Sequence, residues 1–273
     1  SFRLNIAVQL NRGCGVVGRI LGRDCTVAAN RSLALVVRTV DVFDTSTVAT
    51  LFTRDLGKVA ALAKGGRRLK SSFQGGLDLL GVSDIVLLPK ASESLDLLTE
   101  AAPVERFPCL RRDLAALYAG YYIAELLTDL TDYHDPHPKL FDAARITLRH
   151  LGDAGLRPRR VLRFELACLR ELGHMPTLDQ CAHCGEPVDV RETVAFGLST
   201  GGVLCPVCRP GQPHVVTLPA RTIEAVRALA SPGNDWREIE LAGSSLASVR
   251  KTVGDVVSHV LGRRPRVWPL LGV

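Results

Sequence analysis

No stretch of the chain carries the G-x-x-x-x-G-K-[ST] phosphate loop, which argues against ATP hydrolysis. H-E-x-x-H is absent too, and no H-x-E stands with a P-C-x-x-C; the proline beside Cys205 follows it, as Pro206. A zinc deaminase needs both of those elements and an open coordination position. No cluster of acids offers the site of a two-metal nuclease. His134, His137, His150 and His174 stand apart from one another and read as surface or capping residues. No apolar run approaches the roughly 18 residues of a membrane span. These absences leave no catalytic constellation, and the expectation is a protein that is not an enzyme.

The chain does have a globular composition, with 47% hydrophobic and 23% charged residues. The 273 residues suit two or three domains. A formal charge of +6 favours an anionic partner, although where the charge clusters matters more than the total. Of the eight cysteines, Cys14, Cys25, Cys109 and Cys168 are scattered. Scattered single cysteines beside a thiolate metal pattern point to a reducing compartment, hence a cytoplasmic location.

The other four cysteines carry the strongest signal. Cys181-Ala182-His183-Cys184 and Cys205-Pro206-Val207-Cys208 form two C-x-x-C pairs at the spacing of a four-thiolate zinc site. Gly185, Gly201 and Gly202 supply the turns that return the second pair to the first. With all four positions filled by cysteine the site is closed, so the zinc is expected to be structural. The alternatives are four reduced thiols in a core or two disulfides. His183 reads as a solvent-facing turn residue.

Residues 1–31 differ in character from the rest of the chain. Arg3, Arg12, Arg19, Arg23 and Arg31 face a single acid, Asp24, and no period of 2 or 3.6 persists. The stretch reads as an unstructured tail or leader; a transit peptide is the alternative. Order is expected from Leu33, with the barrel spanning 32–103. Leu33–Val40, Thr47–Thr53, Lys58–Ala63, Val82–Leu88 and Leu95–Ala101 read as five short strands joined by short turns. Five strands is the count of an OB-fold, and an SH3-like barrel has a similar pattern.

Between the third and fourth strands lies a glycine-rich basic loop. Arg54, Lys58, Lys64, Arg67, Arg68 and Lys70 stand against Asp55 alone across residues 54–70. Flexible cations neutralise phosphates, and an electropositive groove on a small barrel tracks single strands. A solvated basic loop is the plainer reading. Phe52 is expected in the core; Phe43 and Phe73 fall in loops and suit stacking or core equally.

Leu110, Leu114, Leu117, Tyr121 and Ala124 then fall at helical spacing, widened by Ile123, Leu127 and Leu130. Asp135-Pro136-His137-Pro138 breaks the pattern, and Pro158 opens a helix that Gly173 ends. Helical pattern returns at about Pro219–Ala230 and Ser245–Leu261. The fold class is therefore α+β and multidomain: an N-terminal five-stranded OB-fold β-barrel, then an all-α bundle with an inserted four-cysteine zinc loop. The helical domain is expected over 104–180 and 213–273, with the zinc loop at 181–212.

From about Leu33 onward the chain resembles the RecO family of bacterial recombination mediators. The resemblance is carried by Ala34–Asp41, Thr50–Lys58, Ala63–Ser71, Leu98–Ala101, Phe107–Leu114, Tyr122–Leu126, Phe164–Gly173 and the cysteine loop with Gly201–Val203, taken in this order. It implies binding of single- and double-stranded DNA and annealing of complementary strands. It implies partnership with RecR to load recombinase onto strands coated by single-strand-binding protein, and it leaves involvement of RecF open. It also implies a non-enzymatic protein near the nucleoid. Carried onto this chain, the DNA contacts fall on Arg38, Arg54, Lys58, Lys64, Arg67, Arg68 and Lys70, with Arg111, Arg112, Arg159 and Arg160 as weaker candidates. The metal ligands fall on Cys181, Cys184, Cys205 and Cys208. Residues 1–31, Gly66 and the tail Arg264–Pro269 depart from the family pattern. The alternative reading is a zinc-containing transcription or nucleic-acid-binding regulator without annealing activity.

Overall fold

The structure, a computed structural model, describes residues 16–18, 27–42, 44–66, 68, 71–90 and 95–271. The chain divides into two compact units. The first comprises Ser1–Phe107 with Thr131–Phe141, and the second comprises Pro108–Leu130 with Asp142–Val273.

The first unit is a barrel. A short strand, β1 (Val16–Gly18), pairs with the start of β2 (Val27–Val42). It is followed by β3 (Ser46–Thr53), β4 (Gly57–Ala63), β5 (Val82–Leu88) and β6 (Asp96–Glu105). Hydrogen bonding runs β2-β3-β4-β6-β5 and closes from β5 back onto β2, with β4 and β6 parallel and the other pairs antiparallel. This is the five-stranded OB-like closure expected from the strand pattern. Strand alternation turns Ala34, Val36, Ala49, Leu51, Val59, Ala61 and Ala63 inward. So many alanines make a narrow core, which Ile85, Leu87 and Leu98 fill from the opposite wall.

Two features of this unit differ from the sequence reading. Strand β2 begins at Val27, inside the stretch expected to be a tail, and Arg31 forms a two-pronged ion pair with Asp84 on β5. The rest of that expected tail falls mostly on residues 1–15 and 19–26, outside the described residues. The connection from β4 to β5 is not an open loop. Successive turn hydrogen bonds run from Ala63 to Gly76, and they insert Phe73 into the core at 5% exposure. Phe73 is thus a member of the barrel core rather than a stacking platform. Phe52 is fully buried as expected, and Phe43 lies outside the described residues.

Thr131–Phe141 also belongs to this unit, far along the chain from the strands. His134 donates its amide to the Lys58 carbonyl at 2.9 Å, and Phe141 stacks on Phe52 with centroids 6.4 Å apart. The approach requires a glycine at 57: φ is +72°, and a Cβ there would lie 2.4 Å from the Asp135 nitrogen.

The second unit is mainly helical. Its elements are α1 (Cys109–Arg112), α2 (Leu114–Leu130), most of α3 (Pro138–Arg149), α4 (Arg157–Glu171), α5 (Ala220–Ala230) and α6 (Gly243–Leu261). Pro158 sits in the first turn of α4, where its missing N–H costs nothing. The apolar stripe expected through Leu110, Leu114 and Leu117 does not form as one face. Asp113 is extended (φ −132°, ψ 114°), which ends α1 and starts a new helix. Its Oδ1 accepts the amides of Ala115 and Ala116, so it caps α2. The Ala116 amide, with Arg157 beside it, holds the Asp113 carboxyl below the usual carboxylate range. Restarting the helix leaves Leu114 62% exposed and buries Ala116, Ala119, Ile123 and Leu127 instead.

A polar network ties three helices of this unit together. Tyr122 of α2 donates to Glu165 of α4 at 2.5 Å, and Arg250 of α6 donates to the same oxygen at 3.0 Å. Trp268 lies 4.2 Å from the Arg250 guanidinium. Glu165 is completely buried, so removing Arg250 would leave its carboxylate in the core without a cation.

The cysteine loop lies between α4 and α5. It contains a small sheet that the sequence pattern did not reveal: β7 (Thr193–Gly197), β8 (Gly202–Leu204) and β9 (Val215–Pro219), in the order β8-β7-β9.

Candidate metal centre and nucleic-acid interface

The four cysteines come together through two knuckles. In the first, Gly185 donates its amide to the Cys181 carbonyl at 2.9 Å, closing the turn; in the second, Arg209 does the same to Cys205 at 3.0 Å. The hairpin of β7 and β8 carries Cys205 back to Cys181. It is anchored on both sides, with Thr177 donating to Gly201, Val203 donating to Thr177, and Ala182 donating to Val203. Gly202 permits that approach, since a Cβ would lie 2.3 Å from the Thr177 oxygen.

All four sulfurs lie within 4.8 Å of one another, and Cys184 and Cys205 are 3.9 Å apart. Sulfurs bound at about 2.3 Å around a tetrahedral zinc would be spaced by roughly 3.8 Å, so the donor set and the spacing both fit. Burial would raise the Cys181 thiol, yet the amides of Cys205, Cys184 and His183 hold it down to about 6. The Cys205 sulfur pushes Cys208 up to about 12. His183 is exposed and lies outside the cluster.

The expected DNA-contact residues separate into groups. Arg38, Lys64 and Arg68 are exposed. Arg38 owes its direction to a β-bulge. Val36 faces the core opposite Leu51, and the next pair is Arg38 with Thr50, so Val37 is an extra residue. Plain alternation would have turned Arg38 inward with Val36; the inserted residue turns it out. Lys64 follows the last residue of β4, and Arg68 lies in the turn run, its side chain beside Gly65.

Arg54 lies at the other end of β3, about 20 Å from the level of Thr47 at the usual strand rise, and it pairs with its neighbour Asp55 at 3.5 Å. Lys58 is only 6% exposed. Its ammonium donates to the Thr131 carbonyl and sits 4.7 Å from the Tyr133 ring centre. Lys58 therefore serves the barrel's own packing, which corrects its assignment as a phosphate contact. Arg67 and Lys70 lie outside the described residues.

In the helical unit, Arg111 and Arg112 are exposed. Arg159 donates to the Ile239 carbonyl at 2.9 Å, and Arg160 lies 5.5 Å from the Trp236 ring. These last two hold the loop after α5.

A serine–histidine contact was not anticipated. Gly197-Leu198-Ser199-Thr200-Gly201 matches G-x-S-x-G, and Ser199 Oγ lies 3.1 Å from His214 Nδ1. A nucleophile elbow is a strand-to-helix turn, whereas this one joins β7 to β8. No carboxylate among the described residues bonds to His214. The contact fastens a hairpin.

A closed OB-like barrel, followed by helices that carry a four-cysteine loop, defines a two-unit protein of the oligonucleotide-binding-barrel class. Known proteins place it further. The family model described as Recombination protein O N terminal matches residues 29–107, and that described as Recombination protein O C terminal matches residues 111–269. The chain is 46% identical over 200 residues to the DNA repair protein RecO of Rhodopirellula baltica, covering 73% of this chain and 74% of that protein. It is 35% identical over 246 residues to the RecO of Anaeromyxobacter dehalogenans, covering 87% and 96%, and 30% identical over 231 residues to that of Myxococcus xanthus, covering 85% and 92%. The chain belongs to the Recombination protein O family.

Proposed function

We propose that this protein is a DNA-binding recombination mediator acting in DNA repair. It binds single- and double-stranded DNA, anneals complementary strands and helps load recombinase onto protein-coated single strands. RecR and single-strand-binding protein are its partners, in the cytoplasm at the nucleoid. No described helix is long and apolar enough to cross a membrane. The observation that carries the reading is an OB-like barrel with Arg38, Lys64 and Arg68 exposed, in a chain of this family. Cations without a pocket for base edges bind backbone, so affinity tolerates sequence and falls steeply with salt. Two strands neutralised by one protein can then meet and pair.

The four cysteines hold a structural Zn²⁺ in this reading. A closed thiolate site leaves no position for substrate or water, so the metal orders the loop and takes no part in DNA chemistry. The reading is supported by the sulfur spacing and by the anchoring of the hairpin.

The test is annealing of two complementary labelled oligonucleotides by the full chain across a salt series, with zinc measured on the same sample. Salt-sensitive annealing without ATP and about one zinc per chain is the expected result. Tight, sequence-selective duplex binding without annealing would instead identify a regulator of the transcription type.

A further inference from the structure

The small sheet of the cysteine loop is a partition with a different neighbour on each face. Successive strand residues point to opposite faces, so Ala195 and Phe196 part company. Ala195 pairs with Leu204 across β7 and β8, and both pack with Cys181, Cys205 and Cys208 on one side. Phe196 turns to the other side and is 1% exposed. It lines a small enclosed apolar cavity with Leu166 of α4, Ile223 and Val226 of α5, and Val253 and Val256 of α6. The sheet alone therefore separates the cysteine cluster from the core of the helices. Cys205 directly follows the last residue of β8, so a shift of its sulfur pulls on the sheet.

The four cysteines are not equally protected. Cys181 is 2% exposed, Cys205 and Cys208 are half-buried, and Cys184 is the one exposed cysteine among the described residues. The Cys184 sulfur lies 3.9 Å from that of Cys205, on the other knuckle. An accessible sulfur touching a second sulfur is the arrangement of a reactive cysteine beside a resolving one. The two described cysteines outside the cluster differ: Cys168 is buried, and the Cys109 thiol donates to the Leu148 carbonyl at 3.6 Å.

We propose that Cys184 and Cys205 form a disulfide on exposure to peroxide, and that this frees the partition and loosens the helical core. The proposal rests on the zinc reading above and adds a control to it. The Cys184 sulfur attacks the peroxide O–O bond, giving a sulfenic acid and hydroxide. The Cys205 sulfur then attacks the Cys184 sulfur and expels a second hydroxide. Two electrons leave the sulfurs, and two protons from solvent complete the reduction of peroxide to two waters. A disulfide holds its sulfurs at about 2.0 Å, so neither can remain in a closed four-thiolate site. Cys181 and Cys208 alone leave the loop with a buried cluster too small to order it. Phe196 is carried on the partition, so its hold on the helical core weakens with the sheet. The new bond still ties the two knuckles together, which makes the change reversible by a thiol reductant with zinc.

The experiment treats the full-length protein with hydrogen peroxide after its zinc content has been measured. Free zinc is followed with a metallochromic indicator, disulfides by peptide mass mapping, and local order by amide hydrogen exchange. The expected result is release of about one zinc per chain, a Cys184–Cys205 disulfide, and exchange in β7 faster by about ten-fold or more. Exchange in β3 and β4 should not change, and dithiothreitol with added zinc should reverse all three effects. Cys109→Ser should respond as the unaltered protein does. Zinc retained under peroxide, a disulfide at another pair, or zinc release without faster exchange in β7 would overturn the switch while leaving the metal reading intact. A protein that carries no zinc before treatment would overturn the metal reading itself, and the switch with it.

Discussion

The barrel and the cysteine loop reach order by opposite routes. Around the barrel axis, Ala34, Val36, Leu51, Ile85, Leu98 and their neighbours form a twelve-residue buried cluster inside a closed ladder of hydrogen bonds. The loop's own cluster holds three buried residues, Cys181, Ala195 and Leu204, under a sheet whose strands are three to five residues long. A cluster that small cannot offset the entropy of ordering its chain, so it needs a cross-link. The comparison teaches where a binding surface can reside. A barrel closed on itself can leave part of its surface open to a partner, while a loop whose four cysteines converge on one point commits those groups to its own folding.

The largest effect that sharpens this contrast is loss of the metal. In small thiolate modules, metal binding supplies folding free energy of about 10–16 kcal/mol. Cys181→Ser should abolish bound zinc by emission spectroscopy. It should also strip exchange protection from the amides of Ala182 and Val203, while β3 and β4 remain protected. A variant that keeps its metal would break the contrast, because the loop would then be ordered by packing alone.

The barrel should instead be sensitive to a cavity. Phe52→Ala removes a fully buried ring stacked on Phe141 and should cost about 3–5 kcal/mol in urea unfolding without changing zinc content. A loss below about 1 kcal/mol would mean that Phe52 is not part of the core.

Smaller again is Lys58→Met, which keeps the aliphatic stem but removes the buried ammonium. Replacing a buried polar contact by a shape-matched apolar group is often close to neutral, so stability should change by less than about 1.5 kcal/mol. Oligo-dT affinity should stay within about two-fold, because Lys58 faces Thr131 and Tyr133 rather than solvent. A large affinity loss at unchanged stability would return Lys58 to the DNA surface.

Much of this was legible in the sequence, for physical reasons that differ by region. Alternation located all five barrel strands, since Ala49 and Leu51, or Val59 and Ala61, point inward at a spacing of two. The C-x-x-C pairs announced their cluster because a four-cysteine site demands both that spacing and those turn residues. The β-bulge at Val37 was hidden, because an inserted apolar residue looks like any other member of an apolar run. Lys58 read as a surface cation because charge in a sequence carries no sign of burial; its carbonyl partner lies 73 residues away. Thr131–Phe141 gave a loop signal through Asp135 and its two prolines, but nothing local marks such a segment as part of a distant barrel. The restart at Asp113 was legible in principle: an aspartate before an alanine-rich run is an N-cap signal, masked here by leucines on both sides.

The most direct test of the whole account is the salt dependence of oligo-dT binding by the unaltered protein and by the triple variant Arg38→Glu, Lys64→Glu, Arg68→Glu. Each lost phosphate contact lowers the slope of log K against log salt by about one. The account predicts a slope shallower by about two to three in the variant, with unchanged zinc content and an unchanged melting curve. An identical slope in the two proteins would contradict it and move the DNA surface off the barrel.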